Sequence, residues 1–376
     1  MSKPFNLDSD KLGIVTDWLT VMGGAEEVTR TLHQSLPNAP ILTAQYNPAN
    51  FKWLADADVR GSWLSKMPLS KTKHYLYSPI LADVYRHIDV REFDFVLAFS
   101  HTFAHNVRPR EDAVMFAYYC TVARSLWVPE IDGRAGSGWL REQIVRRLKR
   151  LDLEAAKRPT YVTAISRTGA DRVEKFYKRP VDAVIYPAVA VENWMKTPRV
   201  STREGFTMWS RLIPYKRFDL AIEAAKLGGF KLNIVGAGPD EARLKEIAAG
   251  ASNVVFHGRL ADEPLSQLLS ESQGVLFPAY EDFGIVPIEA MAAGLPVVVF
   301  KEGGAAETIT QEFGEQIATQ TPQELADAVA RLQSREFDAE KLRERAFVFR
   351  YDRFHEELMT HLNLAAERGV KRNFLP

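Results

Sequence analysis

Residues 281–300 read EDFGIVPIEAMAAGLPVVVF. Glu281 and Glu289 stand with seven residues between them, and Gly284 and Pro287 fall inside that gap. An alanine-rich run follows, then Gly294 and the β-branched run 296–300. Proline suits the first position of a helix, where its missing N–H forfeits nothing, and glycine suits the position just past the end. The pattern predicts a loop, a short buried helix from Pro287 to about Ala293, a stop at Gly294, and a buried strand. Val286 then precedes the helix, and valine is a poor cap. The free N–H groups near residues 284–288 are therefore expected to hold a phosphate at the positive end of the helix. Glu289, expected in the first turn, is placed to reach a ribose, and Glu281, in the loop, to face a sugar ring. Alone, each acid is better explained as a surface charge or a dipole complement. Their combination with Phe283, Gly284 and Pro287 favours a ligand.

Short β-rich runs alternate with helical patterns in both directions from this stretch. Toward the N-terminus lie 12–18, 93–100, 113–119, 161–166 and 181–187, with helices expected near 25–36 and 168–177. The alternation restarts at 206–211, 231–238, 253–258, 274–279 and 296–300. Such a pattern predicts an α/β fold with parallel sheets. Two blocks of it predict two Rossmann-like domains facing a central cleft. The expected division is 1–195, 196–350 and a helical tail at 351–376 that packs back on the first domain.

Other motifs fall on strand-to-helix turns. In WSRLIPYKRFDLAIEAA (209–225), Arg211 and Lys216 follow a strand, where two cations are well placed for a diphosphate. Gly23-Gly24 lies between the first strand and the first helix, where backbone N–H groups can approach an anion. Gly236-x-Gly238 follows a strand but lacks a third glycine, since position 241 is Glu, which disfavours a dinucleotide site. His101 and His105 have metal-like spacing at a strand end, but no carboxylate partner is expected near them, so they are read as loop residues at the cleft, not as ligands. No metal site is expected. The helix near 139–157 carries Leu140, Ile144, Leu148 and Leu151 on one face and Arg141, Arg146, Arg147, Lys149 and Arg150 around the rest. That arrangement fits either core packing or contact with an anionic membrane surface.

The chain has 376 residues, of which 46% are apolar, enough for two cores. Its 48 basic and 48 acidic residues cancel, so no nucleic-acid footprint is indicated. Residues 1–190 carry a net charge of +5 and the remainder −5, a mild anion bias for the first half. Cys120 is the single cysteine, which excludes an intrachain disulfide or a zinc ribbon. No apolar signal core opens the chain, and no apolar run approaches a membrane span. The expectation is a soluble, cytoplasmic protein with at most peripheral membrane contact.

At these residues the chain resembles glycosyltransferase family 4, retaining enzymes of the GT-B fold. The resemblance spans most of the chain. It rests on Glu281-x7-Glu289 with EAMAAGLPVV and GGAAET (303–308), on SRLIPYKRFDLAIEA, and on GGAE (23–26). The wording PYKRFDLAIEA and EDFGIVPIEA is closest to members using GDP-mannose in bacterial surface polysaccharide synthesis. The resemblance implies that Arg211 and Lys216 neutralise the departing diphosphate. Gly284 and Ile285 would offer N–H groups beside Phe283 and Val286, Glu289 would bind the ribose, and Glu281 the transferred sugar. Gly23 and Gly24 would close over the diphosphate, Arg259 and Leu260 would border the base, and Glu307 would lie near the phosphate helix. The family's Y-x-H-T-P-x-R run corresponds to YYCTVAR (118–124), with Cys120 where histidine is usual and Val122 for proline. His101, His105, Cys120 and Arg124 are therefore the acceptor-side candidates.

The expected activity is metal-independent, cofactor-free transfer of a hexose, mannose from GDP-mannose, to a hydroxyl of a glycan or lipid-linked acceptor, with retention. A UDP-sugar-dependent transferase of the same fold and a catalytically impaired nucleotide-sugar-binding subunit are the alternatives.

Overall fold

A computed structural model describes residues 11–129, 138–198 and 200–373. Two compact units emerge: Met1–Pro187 with Phe354–Pro376, and Ala188–Arg353. The expected boundary at 195 falls later than the one observed. The Val189 N–H donates to the Phe349 carbonyl, and the short helix Val191–Trp194 packs on the helix Ile285–Ala292, so these residues belong with the second unit.

The first unit is built on a seven-stranded parallel sheet. Its strands are β1 (Leu12–Thr16), β2 (Ile41–Thr43), β3 (Val59–Gly61), β4 (Phe95–Ser100), β5 (Val114–Tyr119), β6 (Tyr161–Ala164) and β7 (Ala183–Val184). Their spatial order is β3-β2-β1-β4-β5-β6-β7. The central strands are buried along their length, as near-continuous apolar runs such as LGIVT and FVLAFS require. One face is covered by the helices Ser78–His87 and Trp139–Ala155. Leu81, Val84 and Tyr85 from the first and Leu148 and Leu151 from the second join Val15, Val96 and Met115 in one core.

The second unit has a six-stranded parallel sheet. Its strands are β8 (Phe206–Trp209), β9 (Leu232–Val235), β10 (Val254–Gly258), β11 (Gly274–Phe277), β12 (Val297–Phe300) and β13 (Gly314–Ile317), in the order β10-β9-β8-β11-β12-β13. The helices Phe218–Gly228 and Pro322–Gln333 pack Leu220, Ile222, Leu325 and Val329 against Phe206, Leu232 and Val298.

The stretch 281–300 forms a loop, a helix and a strand, with one shift of register. The helix begins at Ile285 with Gly284 as its N-cap, so Pro287 stands third rather than first. Proline forfeits nothing there either, because the first four N–H groups of a helix lack intrahelical partners. Glu289 consequently lies in the second turn, not the first. The far end closes as expected: Gly294, at φ 78°, donates to the Met291 carbonyl and Leu295 to that of Ala290.

Candidate active site

In the second unit the chain runs from β8 outward to β9 and β10, then returns to pair β11 on the opposite side of β8. The loops leaving β8 and β11 therefore flank a topological switch point, where open α/β sheets bind ligands. After β8 come the exposed Arg211 and the turn Pro214–Lys216. After β11 comes Glu281. The Lys216 Nζ lies 2.5 Å from Glu281 Oε1, and both side chains are mostly buried. The pair is a short ammonium–carboxylate contact in a mostly buried setting. The same ammonium stands 5.5 Å from the Phe277 ring centre and 5.4 Å from that of Tyr215.

Immediately beyond Glu281, the helix Ile285–Ala292 presents an N-terminus that no side chain caps and no acid occupies in its first turn. Gly284 holds φ 91°, and a Cβ there would stand 3.1 Å from that of Ala305. Phe283 is buried, with its ring 5.9 Å from that of Phe349, while Ile285, Val286 and Glu289 are half-buried. The Gly304 N–H donates to the Glu281 carbonyl at 2.8 Å, which ties the acid's loop to the helix Ala305–Thr308 that carries Glu307.

Gly236 and Gly238 have a structural explanation. A Cβ on Gly236 would lie 1.9 Å from the Ser210 carbonyl oxygen, and one on Gly238 2.1 Å from that of Leu212. The glycines let the loop after β9 back directly onto the loop that carries Arg211. The Leu212 N–H donates to Ala237 and the Asp240 N–H to Leu212. Arg259 is exposed and Leu260 half-buried at the carboxyl end of β10, on the same edge of the sheet.

The first unit has its own switch point, between β1 and β4. Asp17, directly after β1, is fully buried. Its Oδ2 accepts the N–H groups of His101 and Thr102 at 2.7 and 2.8 Å, and its Oδ1 those of Phe103 and Ala104 at 2.8 and 3.0 Å. One carboxylate thus holds the whole loop after β4. His101 is half-buried, with Nε2 3.8 Å from Asp17 Oδ2. Trp18 stacks on His74 with ring centres 4.9 Å apart and meets His101 edge-on at 4.8 Å. The Thr20 hydroxyl lies 2.9 Å from His74 Nδ1. Gly23 is the exposed N-cap of the helix Gly24–Ser35, which likewise lacks a side-chain cap. Asp17, Trp18 and His74 were not among the sequence candidates.

Two histidine expectations are corrected. Both have carboxylate neighbours, Asp17 for His101 and Asp152 for His105. His105 faces inward instead of a cleft. It is wholly buried, with Nδ1 3.0 Å from Ser100 Oγ and Nε2 3.0 Å from Asp152 Oδ1, among the rings of Tyr119 and Tyr177. The Trp127 Nε1–H donates to the other Asp152 oxygen at 2.7 Å. Burial beside Asp152 pushes the Tyr119 and Tyr177 hydroxyls well above the ordinary phenol range. Cys120 is buried too, and its N–H donates to the Ser100 carbonyl, next to His101. Arg124 opens the short helix Arg124–Trp127, half-buried. Among the described residues, no cluster of three or more His, Cys, Asp and Glu is arranged for a metal ion.

Residues 190–348 match the family model of glycosyl transferases group 1. Among the curated relatives that share sequence with the chain are two mannosyltransferases. One is the GDP-mannose-dependent monoacylated alpha-(1-6)-phosphatidylinositol monomannoside mannosyltransferase of Corynebacterium glutamicum, 37% identical over 119 residues, covering 28% of this chain and 31% of the relative. The other is the O-antigen chain mannosyltransferase C of Escherichia coli, 35% identical over 103 residues, covering 26% and 28%. The matched region thus spans about a third of the length of these relatives. The solved structure of Anabaena Alr3699/HepE with UDP and glucose superposes over 94% of this chain and 99% of its own, with a TM-score of 0.67 at 18% identity. That likeness shows the fold, which is GT-B.

The glycosyl transferases group 1 segment contains Arg211, Lys216, Arg259, Leu260, Glu281, Phe283, Gly284, Ile285, Val286, Glu289 and Glu307. Gly23, Gly24, His101, His105, Cys120 and Arg124 lie in the first unit, outside it.

Proposed function

We propose that this protein is a retaining family 4 transferase that moves mannose from GDP-mannose to a hydroxyl of a lipid-linked or glycan acceptor in polysaccharide biosynthesis. The observation that carries the reading is the Lys216–Glu281 pair at the β8/β11 switch point, beside the uncapped helix Ile285–Ala292. A nucleoside diphosphate brings the anion that this helix start lacks. It also competes with Glu281 for Lys216. Arg211 and Lys216 then neutralise charge as the diphosphate departs, a task that needs no metal. Glu281, released from the lysine, is positioned to accept hydrogen bonds from the sugar hydroxyls. Glu289 binds the ribose and Arg259 with Leu260 borders the base. In the first unit, the Trp18, His74 and His101 cluster offers an aromatic face to the acceptor. The mannose assignment draws on the names of both these relatives, and the GDP assignment on that of the Corynebacterium glutamicum relative. With such a donor and acceptor, the reaction would take place in the cytoplasm, at the membrane.

Calorimetric titration of GDP, UDP and ADP, with and without EDTA, tests the donor. Selective GDP binding that survives EDTA is expected, and preference for UDP moves the donor. Absence of binding by all three removes the phosphate-site reading. Turnover with GDP-mannose should fall by about 10²–10³-fold in Lys216→Ala and in Arg211→Ala. Near-normal rates in both variants overturn the assignment of these cations. Binding without turnover in the unaltered protein points instead to the impaired-subunit reading that Cys120 raises.

A further inference from the structure

The apolar stripe of the helix Trp139–Ala155 is spent on the first unit's core, where Leu148 and Leu151 are buried and Ile144 packs against them. A different segment has apolar side chains with nothing to cover them. Among the described residues, thirteen large apolar side chains are exposed, and six of them fall within residues 63–80: Trp63, Met67, Leu69, Tyr75, Leu76 and Ile80. Such clustering marks an interaction surface, whereas scattered exposure does not. We propose that residues 61–80 form a docking surface for an anionic lipid bilayer.

Charge selects that occupant. Between Asp58 and Asp83 the chain holds no acidic residue, while Arg60, Lys66, Lys71 and Lys73 are all present. Arg60 is paired with Asp58 and Glu92, but the three lysines are exposed and have no carboxylate partner among the described residues. Cations interleaved with apolar side chains fit a surface whose phosphates lie just above its acyl chains. A second copy of this chain would oppose the same cations to themselves, which disfavours self-association through the patch.

The segment is built to hold these side chains outward. Leu64 and Ser70 are its buried anchors. Gln45 Nε2 donates to the Ser70 carbonyl, the Ser70 hydroxyl to that of Ser65, and the Tyr77 hydroxyl to that of Pro68. Leu69 sits at the tip with φ 61°, a conformation that favours glycine or asparagine, and it is 53% exposed. Its carbonyl accepts the N–H groups of Thr72 and Lys73, closing the turn beneath it. Trp139, 73% exposed, extends the surface. Arg147 pairs with Asp83 and Arg86 with Glu154, so the helices Ser78–His87 and Trp139–Ala155 run in the same sense. Their starts, carrying Ile80 and Trp139, lie at the same end. Among the described residues no helix is long and apolar enough to cross a membrane, so the contact is peripheral.

Flotation of the full chain with vesicles tests this without any nucleotide, so its failure and the failure of the donor reading are separable. The protein should float with phosphatidylcholine vesicles containing phosphatidylglycerol, remain behind with phosphatidylcholine alone, and lose binding in high salt. The bound fraction should fall about tenfold or more in Leu69→Ser/Leu76→Ser and in Lys71→Glu/Lys73→Glu. These positions are exposed, and an unchanged thermal melt checks that both variants fold. Leu227→Ser, an exposed leucine of the second unit, should float like the unaltered protein. No flotation of the unaltered protein with anionic vesicles overturns the proposal, as does flotation of both variants at the original level or equal loss in Leu227→Ser. An acidic protein as the true occupant would appear as the first of these outcomes.

Discussion

Asp17 holds the loop that brings His101 to the first unit's candidate site. A buried carboxylate that accepts four backbone N–H groups is satisfied only while all four stay in place. Asp17→Asn turns an NH2 group toward some of those donors. It should destabilise the first unit by about 3 kcal/mol and release the loop at 101–104. Thermal melting with amide exchange at those residues reads both effects. Unchanged melting with unchanged protection would remove Asp17 from this role. The sequence displays the acid directly after a strand, but the N–H groups that donate to it lie 84 to 87 residues away, so no local pattern announces them. His105 was misread for the same reason. Its carboxylate partner comes from a helix that begins more than thirty residues later. Lys216 and Glu281 were legible because strand-end cations and a helix with a poor cap are local features, although their direct pairing was not.

At the scale of elements, the loop after β8 that carries Arg211 depends on a neighbour that carries no functional group. Gly236→Ala would drive a methyl into the Ser210 carbonyl and require φ 138° of an alanine. The loop at 210–212 must move, taking Arg211 with it. The expected loss is about 2 kcal/mol of stability in the second unit, together with at least tenfold weaker nucleotide binding by calorimetry. If affinity stays at its original value, the glycines serve something other than loop packing. The helix Ile285–Ala292 is supported at its other end by the buried Arg343, which donates to the carbonyls of Ala292 and Thr197. Strand–helix alternation exposed most of both sheets, yet β2, β3 and β13 escaped it. The first two are three residues long. The last reads GEQI, and its Glu315 is stabilised by Arg331 and Arg335 rather than by an apolar face. Short strands at or next to a sheet edge rely on pairing, and a single sequence does not show which partner they pair with.

At the scale of the whole molecule, the chain leaves the first unit at Pro187 and returns to it from Phe354. The helix Tyr351–Asn373 buries Phe354, Leu358, Leu362 and Ala365 completely, and its Arg368 pairs with Asp182 at 2.7 Å. Three large apolar side chains at about 2 kcal/mol each represent much of a domain's net stability. Deleting residues from 354 onward should therefore lower the first unit's melting transition sharply while the second unit still binds nucleotide. The docking also has a sign with pH. The Tyr161 hydroxyl lies within hydrogen-bond distance of His361 Nδ1, at 3.0 Å. Burial lowers the His361 pKa from its ordinary 6.5, while Glu357 and Asp182 oppose the shift. The unfolded chain thus takes up the proton first. Stability is complete above 6.5 and declines as pH falls through and below it. His33, lowered by burial, adds to the same slope. Melting curves on either side of that pH should show the first unit weakened on the acid side, and less so in His361→Gln. Equal pH sensitivity in that variant would mean that another group, not the histidine on the returning helix, carries the proton linkage.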